Sequence, residues 1–305
     1  MSMAAVGVEQ AGILRVARGR ARRALIRDTW PLFPALALLA AFFVLPLTLI
    51  LPESVYDGTR VTLSVYGTVL GDAYYWIVIG RSFRLALYST FVCLVLGYPT
   101  AYYCVRVVHP RWKRVAYMLL IAPLFTSAVI RVMAWTVILG RNGILNRTLM
   151  QMGLIESPVR LLYNELAIVV GLVYVMIPFM VLTVASVLEN LDRSLEEAAQ
   201  DLGATPVATF LRVTLPLSLP GVIAGCFLVF TLSLSAYVTP ALLGGGRSKV
   251  MSMLIFEYFL RVFNWPLGAA ISCVLLAVTL LLIWVYNRAL AVGARRGRLG
   301  VEAAI

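Results

Sequence analysis

A short polar segment between two long apolar runs carries the residue types best suited to recognition chemistry. Ala198 and Ala199 leave a narrow ridge that can enter a groove on another protein, while Glu196, Glu197 and Asp201 can pair with basic residues at its rim. These residue types predict docking by shape and charge. A solvated loop between helices is the alternative that the residues alone leave open.

Residues for covalent or metal chemistry are scarce. The only histidine, His109, lies in a short turn beside Pro110, so we expect no histidine-dependent active site. The four cysteines fall within or at the ends of apolar runs and predict neither a disulfide framework nor a metal site. No G-x-x-x-x-G-K-[ST] phosphate loop occurs, and residues 244–249 imitate one without its spacing. We therefore predict no catalytic residue and no metal.

Composition indicates the setting in which the polar segment lies. Hydrophobic residues make up 61% of the 305 residues, and the mean hydropathy is +0.91, far above the values of soluble domains. The apolar runs are long enough to cross a bilayer as helices and lack the alternation of barrel strands. We predict an all-α integral membrane protein with six transmembrane helices, at residues 31–51, 83–105, 115–139, 166–188, 216–243 and 266–286.

Basic residues in the connecting segments predict the orientation. Most lysines and arginines fall on one side if the N-terminus lies inside, so we expect both termini in the cytoplasm. Residues 1–30 then form a cytoplasmic basic N-terminal segment and residues 289–305 a cytoplasmic basic tail. The formal net charge of +12 would suggest nucleic acid for a soluble protein. Here the arginines flank apolar spans, so we predict contact with the lipid bilayer and no nucleic acid.

The polar segment itself predicts two short helices joined by a sharp turn. Ser194 and Glu197 match the capping box S-x-x-E at the start of the first helix. Gly203 suits the left-handed conformation that ends helices. Thr205 and Pro206 supply an N-cap and a first-turn proline for the second helix. We expect this helical hairpin to lie against the cytoplasmic face of the membrane.

The spacing of this segment matches a known motif. Glu197-Ala198-Ala199, Gly203 and Leu215-Pro216 stand at the intervals of the EAA loop, and the segment resembles that loop in permease subunits of bacterial ATP-binding-cassette importers. The resemblance extends from about Arg81 to Arg288. It implies that loop 190–216 couples to a separate ATPase. The coupling residues that it implies are Glu196, Glu197, Ala198, Ala199, Asp201, Gly203 and Pro216.

Two further stretches narrow the resemblance. Residues 131–146 and residues 237–245 are similar to the first permease of spermidine/putrescine-type importers. The solute that this likeness implies is a polyamine. Amino-acid-like solutes and phosphonates remain alternatives, because some relatives carry an acidic residue near the position of Ala236 and this chain does not.

The resemblance also implies an architecture and an assembly. It implies the type I importer permease fold, with a first helix and outer loop over residues 31–80 and the transport core over residues 81–288. The implied partners are a second homologous permease, two nucleotide-binding ATPase subunits that bind the ATP, and an extracytoplasmic solute-binding protein. This chain then needs no cofactor of its own and is a multi-pass protein of the bacterial inner membrane. An ion-coupled secondary transporter is the rival, but the acids lie in predicted loops or span ends.

Candidates for a solute pathway lie on three predicted helices. Arg131 is a charge inside a span, which snorkelling, pairing or a water-lined pathway would each explain. On the fifth helix Ser235 shares a face with Thr239, and Ser233 with Tyr237. Hydrogen bonding between helices is the alternative role for these polar groups. The full set of candidates is Arg131, Trp135, Tyr174, Ser233, Ser235, Tyr237 and Thr239.

Overall fold

The computed structural model describes residues 32–56 and 60–302, with side chains of the last helix described through Trp284 and at Arg288. Within these residues the regular elements are helices, and one isolated bridge pairs Tyr56 with Val61. The predicted basic segment 1–30 lies outside the described residues. The division of the chain into domains stays a prediction.

Six segments are long and apolar enough to cross a membrane, so the predicted number of spans is confirmed for the described part of the chain. Their apolar runs of about 20 residues match the thickness of a bilayer core. These segments are Leu32–Glu53, Ala73–Val107, Ala128–Gln151, Glu165–Asn190, Pro206–Ser235 and Trp265–Trp284.

The helices are numbered in chain order. The first six are α1 Leu32–Glu53, α2 Ser64–Gly71, α3 Ala73–Tyr102, α4 Pro110–Ile121, α5 Ala128–Leu139 and α6 Ile144–Gln151. The others are α7 Glu165–Asn190, α8 Ser194–Asp201, α9 Pro206–Thr209, α10 Leu215–Ser235, α11 Val238–Leu243, α12 Met251–Leu260 and α13 Trp265–Glu302. Two π-helical turns, Tyr103–Val107 and Phe210–Thr214, continue α3 and lead into α10.

The predicted third span, residues 115–139, is wrong as a single helix. Helix α4 passes into a 3-10 turn at Ala122–Phe125, and α5 begins at Ala128. Pro123 lacks an amide hydrogen and cannot continue the helical hydrogen bonds, which explains the break. A side chain from the next helix reaches the Pro123 carbonyl, because Arg131 Nη1 donates to it at 2.9 Å.

Three other predicted boundaries also shift. The second span begins at Ala73 instead of residue 83, because the Asp72 side chain accepts a hydrogen bond from the Tyr74 amide at 2.8 Å and caps the helix. The fifth ends at Ser235, since Ala236 is extended, and the chain resumes as α11. The last helix continues through much of the predicted basic tail to Glu302.

The core is formed where α3, α7 and α10 pack together. Its buried side chains include Cys93, Met180, Val184 and Val229. Glycine permits this close packing, since a Cβ on Gly97 would lie 2.8 Å from Met180 Cγ. By contrast, α1 has no buried residue, as expected for a helix whose surroundings are largely lipid. The bundle thus has a tight centre and an apolar outer surface.

Candidate functional site

The polar segment folds as the predicted hairpin of two short helices, which we call the elbow and define as residues 192–214. Helix α8 is followed by Gly203, whose φ of +88° is the left-handed conformation expected for it. Thr205 Oγ1 accepts a hydrogen bond from the Ala208 amide at 3.3 Å, and Pro206 opens α9. The predicted turn, N-cap and first-turn proline are therefore confirmed.

The predicted capping box is wrong. Ser194 is the first residue of α8, and the N-cap position falls on Arg193, whose side chain makes no cap hydrogen bond. Asp192 Oδ1 takes that role by accepting a hydrogen bond from the Ser194 amide at 3.0 Å. The same hydrogen bond holds the pKa of Asp192 below its ordinary value, because it stabilises the carboxylate form. A carboxylate therefore lies at the N-terminus of the helix, where it also interacts favourably with the positive end of the helix dipole.

Glu196 points into the molecule, where it joins the elbow to two membrane helices. Its Oε1 lies 3.0 Å from Arg106 Nη2 and accepts a hydrogen bond from Thr214 Oγ1 at 3.0 Å. The side chains of Arg106 and Glu196 are only 8% and 16% exposed. A second contact joins the same two segments, because Arg193 Nη2 donates a hydrogen bond to the Val105 carbonyl at 3.3 Å. We call Arg106, Arg193, Glu196 and Thr214 the elbow clamp.

The opposite side of the elbow faces outward, away from the clamp. Glu197, Ala198 and Asp201 are exposed, and Ala199 is partly buried. Large apolar side chains stand beside them, with Leu202 90% exposed and Val207 67% exposed. Exposed apolar groups beside acids are the mark of a docking surface. We call this surface the docking face; its members are Leu195, Glu197, Ala198, Asp201, Leu202, Val207 and Leu211.

Sequence reasoning missed the apolar members of the docking face. The motif drew attention to the alanines and acids, whereas Leu195 and Leu202 recur seven residues apart, a helical interval. That spacing places both leucines on one face of the helix and could have predicted an apolar stripe there. Gly203 and Pro216 are both exposed and lie at the turn and at the start of the following membrane helix.

The pathway candidates separate into several environments. Trp135 and Tyr174 meet edge to face, with ring centroids 5.6 Å apart. Ser233 is buried, and its hydroxyl has no hydrogen-bond partner among the described residues. Thr239 is buried beside Gly171, where an added Cβ would lie 2.7 Å from its methyl group. The Arg131 guanidinium bonds to the Pro123 carbonyl, as described above.

Ser235 and Tyr237 line a cavity of about 920 Å³ at the end of the bundle far from the elbow. We call it the distal cavity. The Tyr237 ring stacks on Phe256 with centroids 4.2 Å apart. Phe259 and Trp265 meet edge to face at 5.5 Å, and Glu53 of α1 contributes a carboxylate. The other lining residues are Leu49, Ile50, Ser252, Ile255, Leu260, Ala269 and Leu275.

This cavity depends on the break between α10 and α11. Ser252 Oγ donates to the Ala236 carbonyl at 2.7 Å and satisfies a group that the break releases. No sequence pattern indicates that Glu53, Phe256, Phe259 and Trp265 meet, because they come from three separate helices. Within the described residues, no group of three or more potential ligands could hold a metal ion.

Comparison with known proteins identifies close relatives. A profile of the binding-protein-dependent transport system inner membrane component family matches residues 93–289. The chain is 40% identical over 256 residues to the spermidine/putrescine transport system permease protein PotB of Haemophilus influenzae, covering 81% of this chain and 89% of that protein. It is 39% identical over 228 residues to PotB of Escherichia coli K12, covering 75% and 82%.

Solved structures share the fold. A chain of a bacterial ABC transporter involved in the import of the acidic polysaccharide alginate superimposes with a TM-score of 0.72 at 18% identity, covering 88% of this chain and 97% of its own length. A chain of the inward-facing MetNI methionine ABC transporter gives a TM-score of 0.52 at 17% identity, covering 71% and 96%. The helical permease fold implied by the motif is thus confirmed. The chain is a non-catalytic permease subunit, and it belongs to the family of inner membrane components of binding-protein-dependent transport systems.

Proposed function

We propose that this permease forms half of the translocation pathway of an ATP-driven importer and takes its energy from a separate ATPase through the elbow. The docking face carries this proposal. Its apolar side chains are exposed beside Glu197 and Asp201, and such a surface is costly in water unless a partner covers it. A nucleotide-binding subunit with an apolar cleft and a basic rim would complement it.

The seven coupling residues then divide by role. Glu197, Ala198, Ala199 and Asp201 belong to the part gripped by the ATPase. Gly203 forms the turn, and Pro216 begins the helix through which motion enters the membrane. Glu196 has a different role from the outward contact expected of it, because its carboxylate joins the elbow to Arg106. It transmits force to the membrane helices.

The assembly that we propose has four further subunits. They are a second homologous permease, two ATPase subunits and an extracytoplasmic solute-binding protein. ATP binds to the ATPase subunits, so this chain carries no cofactor. Both termini and the elbow lie in the cytoplasm, and the distal cavity opens toward the side on which the binding protein delivers solute. The family's dependence on a binding protein supports this arrangement.

The solute that we propose is a polyamine. Two relatives about 40% identical are named as spermidine/putrescine permeases, and the distal cavity offers aromatic rings and a carboxylate, groups that attract organic cations. An amino-acid-like solute or a phosphonate would have to bind elsewhere, because no lysine, arginine or histidine lines the cavity. A secondary transporter has no ATPase subunit to cover the docking face, so the exposed apolar side chains of that face argue against it.

Reconstitution tests this function. The chain is assembled with its partner permease, ATPase and binding protein in proteoliposomes, and uptake of labelled spermidine is measured with ATP inside. We expect uptake that requires ATP and the binding protein and that unlabelled putrescine reduces. Uptake that continues without ATP would support the secondary transporter, and uptake of only an anionic solute would exclude a polyamine.

A further inference from the structure

The distal cavity has the size and the walls of a small-molecule site. Its volume of about 920 Å³ lies at the upper end of the range for ligand pockets, about 300–1,000 Å³. Four aromatic rings stand in its wall as two contacting pairs, Tyr237 with Phe256 and Phe259 with Trp265. An elongated, flexible molecule would find room beside these rings.

The electrostatics of the lining favour a cation. Among the thirteen lining residues, Glu53 is the one ionisable acid, and none is lysine, arginine or histidine. The faces of aromatic rings also attract positive charge, most strongly where water is excluded. An anion would meet the Glu53 carboxylate and find no basic side chain to pair with.

The Glu53 carboxylate is free to receive a ligand, unlike Glu257 and Glu165, which are held in ion pairs. It is partly buried and makes no hydrogen bond or ion pair with any residue that the structure describes. Glu257 of α12 is held by Lys249, with Nζ and Oε2 2.6 Å apart. Glu165 pairs with Arg84 at 2.6 Å and with Arg81 at 3.4 Å. Of these three described acids, Glu53 is thus the one that has no cationic partner.

The hydroxyl groups of the wall support the same ligand chemistry. Ser235 Oγ donates to the Leu232 carbonyl at 3.1 Å, and Ser252 Oγ donates to the Ala236 carbonyl at 2.7 Å. Both hydroxyl hydrogens are therefore used within the protein. The oxygens keep lone pairs that accept from an ammonium group, which has three donors and no acceptor.

We infer that the distal cavity is a binding site for a linear organic polycation, with Glu53 receiving one ammonium group and the rings of Tyr237, Phe256, Phe259 and Trp265 holding the methylene chain and a second ammonium group. The inference deepens the proposed function and rests on it for the identity of the ligand. It makes α1, a helix with no buried residue, part of the solute site. Glu53 is then a specificity-determining residue.

Equilibrium binding tests the site on the assembled importer in nanodiscs, without the solute-binding protein and with labelled spermidine as the probe. We expect Glu53→Gln to weaken binding by roughly tenfold or more, the loss typical of one charge-assisted contact. Glu53→Asp keeps the charge and should retain most of the affinity. Glu156→Gln is the matched control, since it removes an exposed acid that does not line the cavity, and it should bind as the unaltered protein does.

Trp265→Leu gives a second, independent variant, because it removes a ring and leaves the carboxylate. We expect it to weaken spermidine binding as well, since one wall of the distal cavity loses its ring. Affinity unaltered in both Glu53→Gln and Trp265→Leu, or no saturable binding by the unaltered complex, would overturn the site. Uptake by the unaltered importer is measured in parallel. If it carries spermidine while the two variants bind normally, only the site fails; if it carries none, the proposed function fails whatever the binding.

Discussion

At the scale of single residues, two adjacent acids in the elbow have opposite surroundings. Glu196 is turned inward to Arg106 and Thr214, and Glu197 is exposed on the docking face. The sequence alone places them side by side with the same charge. The two surroundings differ because α8 is rotated so that Glu196 faces Arg106. Arg106 lies 90 positions before Glu196 in the chain. No local pattern contains that information.

Replacing Glu196 should uncouple the transporter. Glu196→Gln leaves the buried Arg106 guanidinium without its counter-charge, and breaking a buried pair in this way costs about 3–5 kcal/mol. The elbow should then move without its membrane helices. We expect ATP-driven uptake to fall by roughly tenfold or more, while the ATPase still attaches, because Glu197 is untouched. The ratio of solute carried to ATP hydrolysed measures this effect.

Replacing Glu197 should have the complementary effect. Glu197→Lys places a positive charge on the docking face, where we propose a basic rim on the ATPase, so attachment should weaken and become less sensitive to salt. A pull-down of the ATPase at low and high ionic strength measures it. Insertion and thermal stability should stay unchanged. Attachment as tight as in the unaltered protein would show that this carboxylate is not at the interface.

At the scale of elements, breaks in helices place the functional groups. Helices end near Pro123 and Ala236, within apolar runs that hydropathy alone predicts to be continuous helices. Six spans could be predicted because apolar runs of bilayer length have few other uses. The first break has a local signal in Pro123 itself. The break at Ala236 has none, because it depends on Ser252, 16 positions later, whose hydroxyl satisfies the freed carbonyl.

The turn of the elbow should depend on glycine. At a φ of +88°, a β-branched residue is strained, so Gly203→Val should distort the hairpin and abolish coupled uptake while membrane insertion continues. Gly203→Asn is the matched control, because asparagine tolerates the left-handed region. Proteoliposome uptake and the yield of folded protein are measured together. Normal uptake by Gly203→Val would show that the turn is not needed.

The hydrogen bond across the break in the third span should stabilise the bundle. Arg131→Met keeps the length of the side chain and removes the donor to the Pro123 carbonyl. A lost hydrogen bond from a charged donor costs about 1.5–3 kcal/mol, so we expect a lower melting temperature in detergent. Arg131→Lys should restore part of the loss. An unchanged melting temperature for Arg131→Met would leave that hydrogen bond without a structural role.

At the scale of the whole molecule, the docking face and the distal cavity lie at opposite ends of one bundle. Helix α10 connects them, since it begins beside the elbow and ends at the cavity wall. Fold class and elbow could be predicted because they rest on local patterns, namely apolar runs, a turn glycine and the EAA spacing. The cavity could not, because Glu53, Tyr237 and Trp265 come together only when α1, the break between α10 and α11, and α13 pack.

The most direct test of the central claim is cross-linking from the elbow in the assembled importer. Leu202→Cys places a thiol at a side chain that is 90% exposed, and a short bifunctional reagent then probes its neighbours. The account predicts a cross-link to the ATPase subunit that changes in yield when ATP is bound, and no reaction with a membrane-impermeant thiol reagent added to intact cells. Modification of Leu202→Cys from outside the cell, or the absence of any ATPase cross-link in an importer that carries solute, would contradict it.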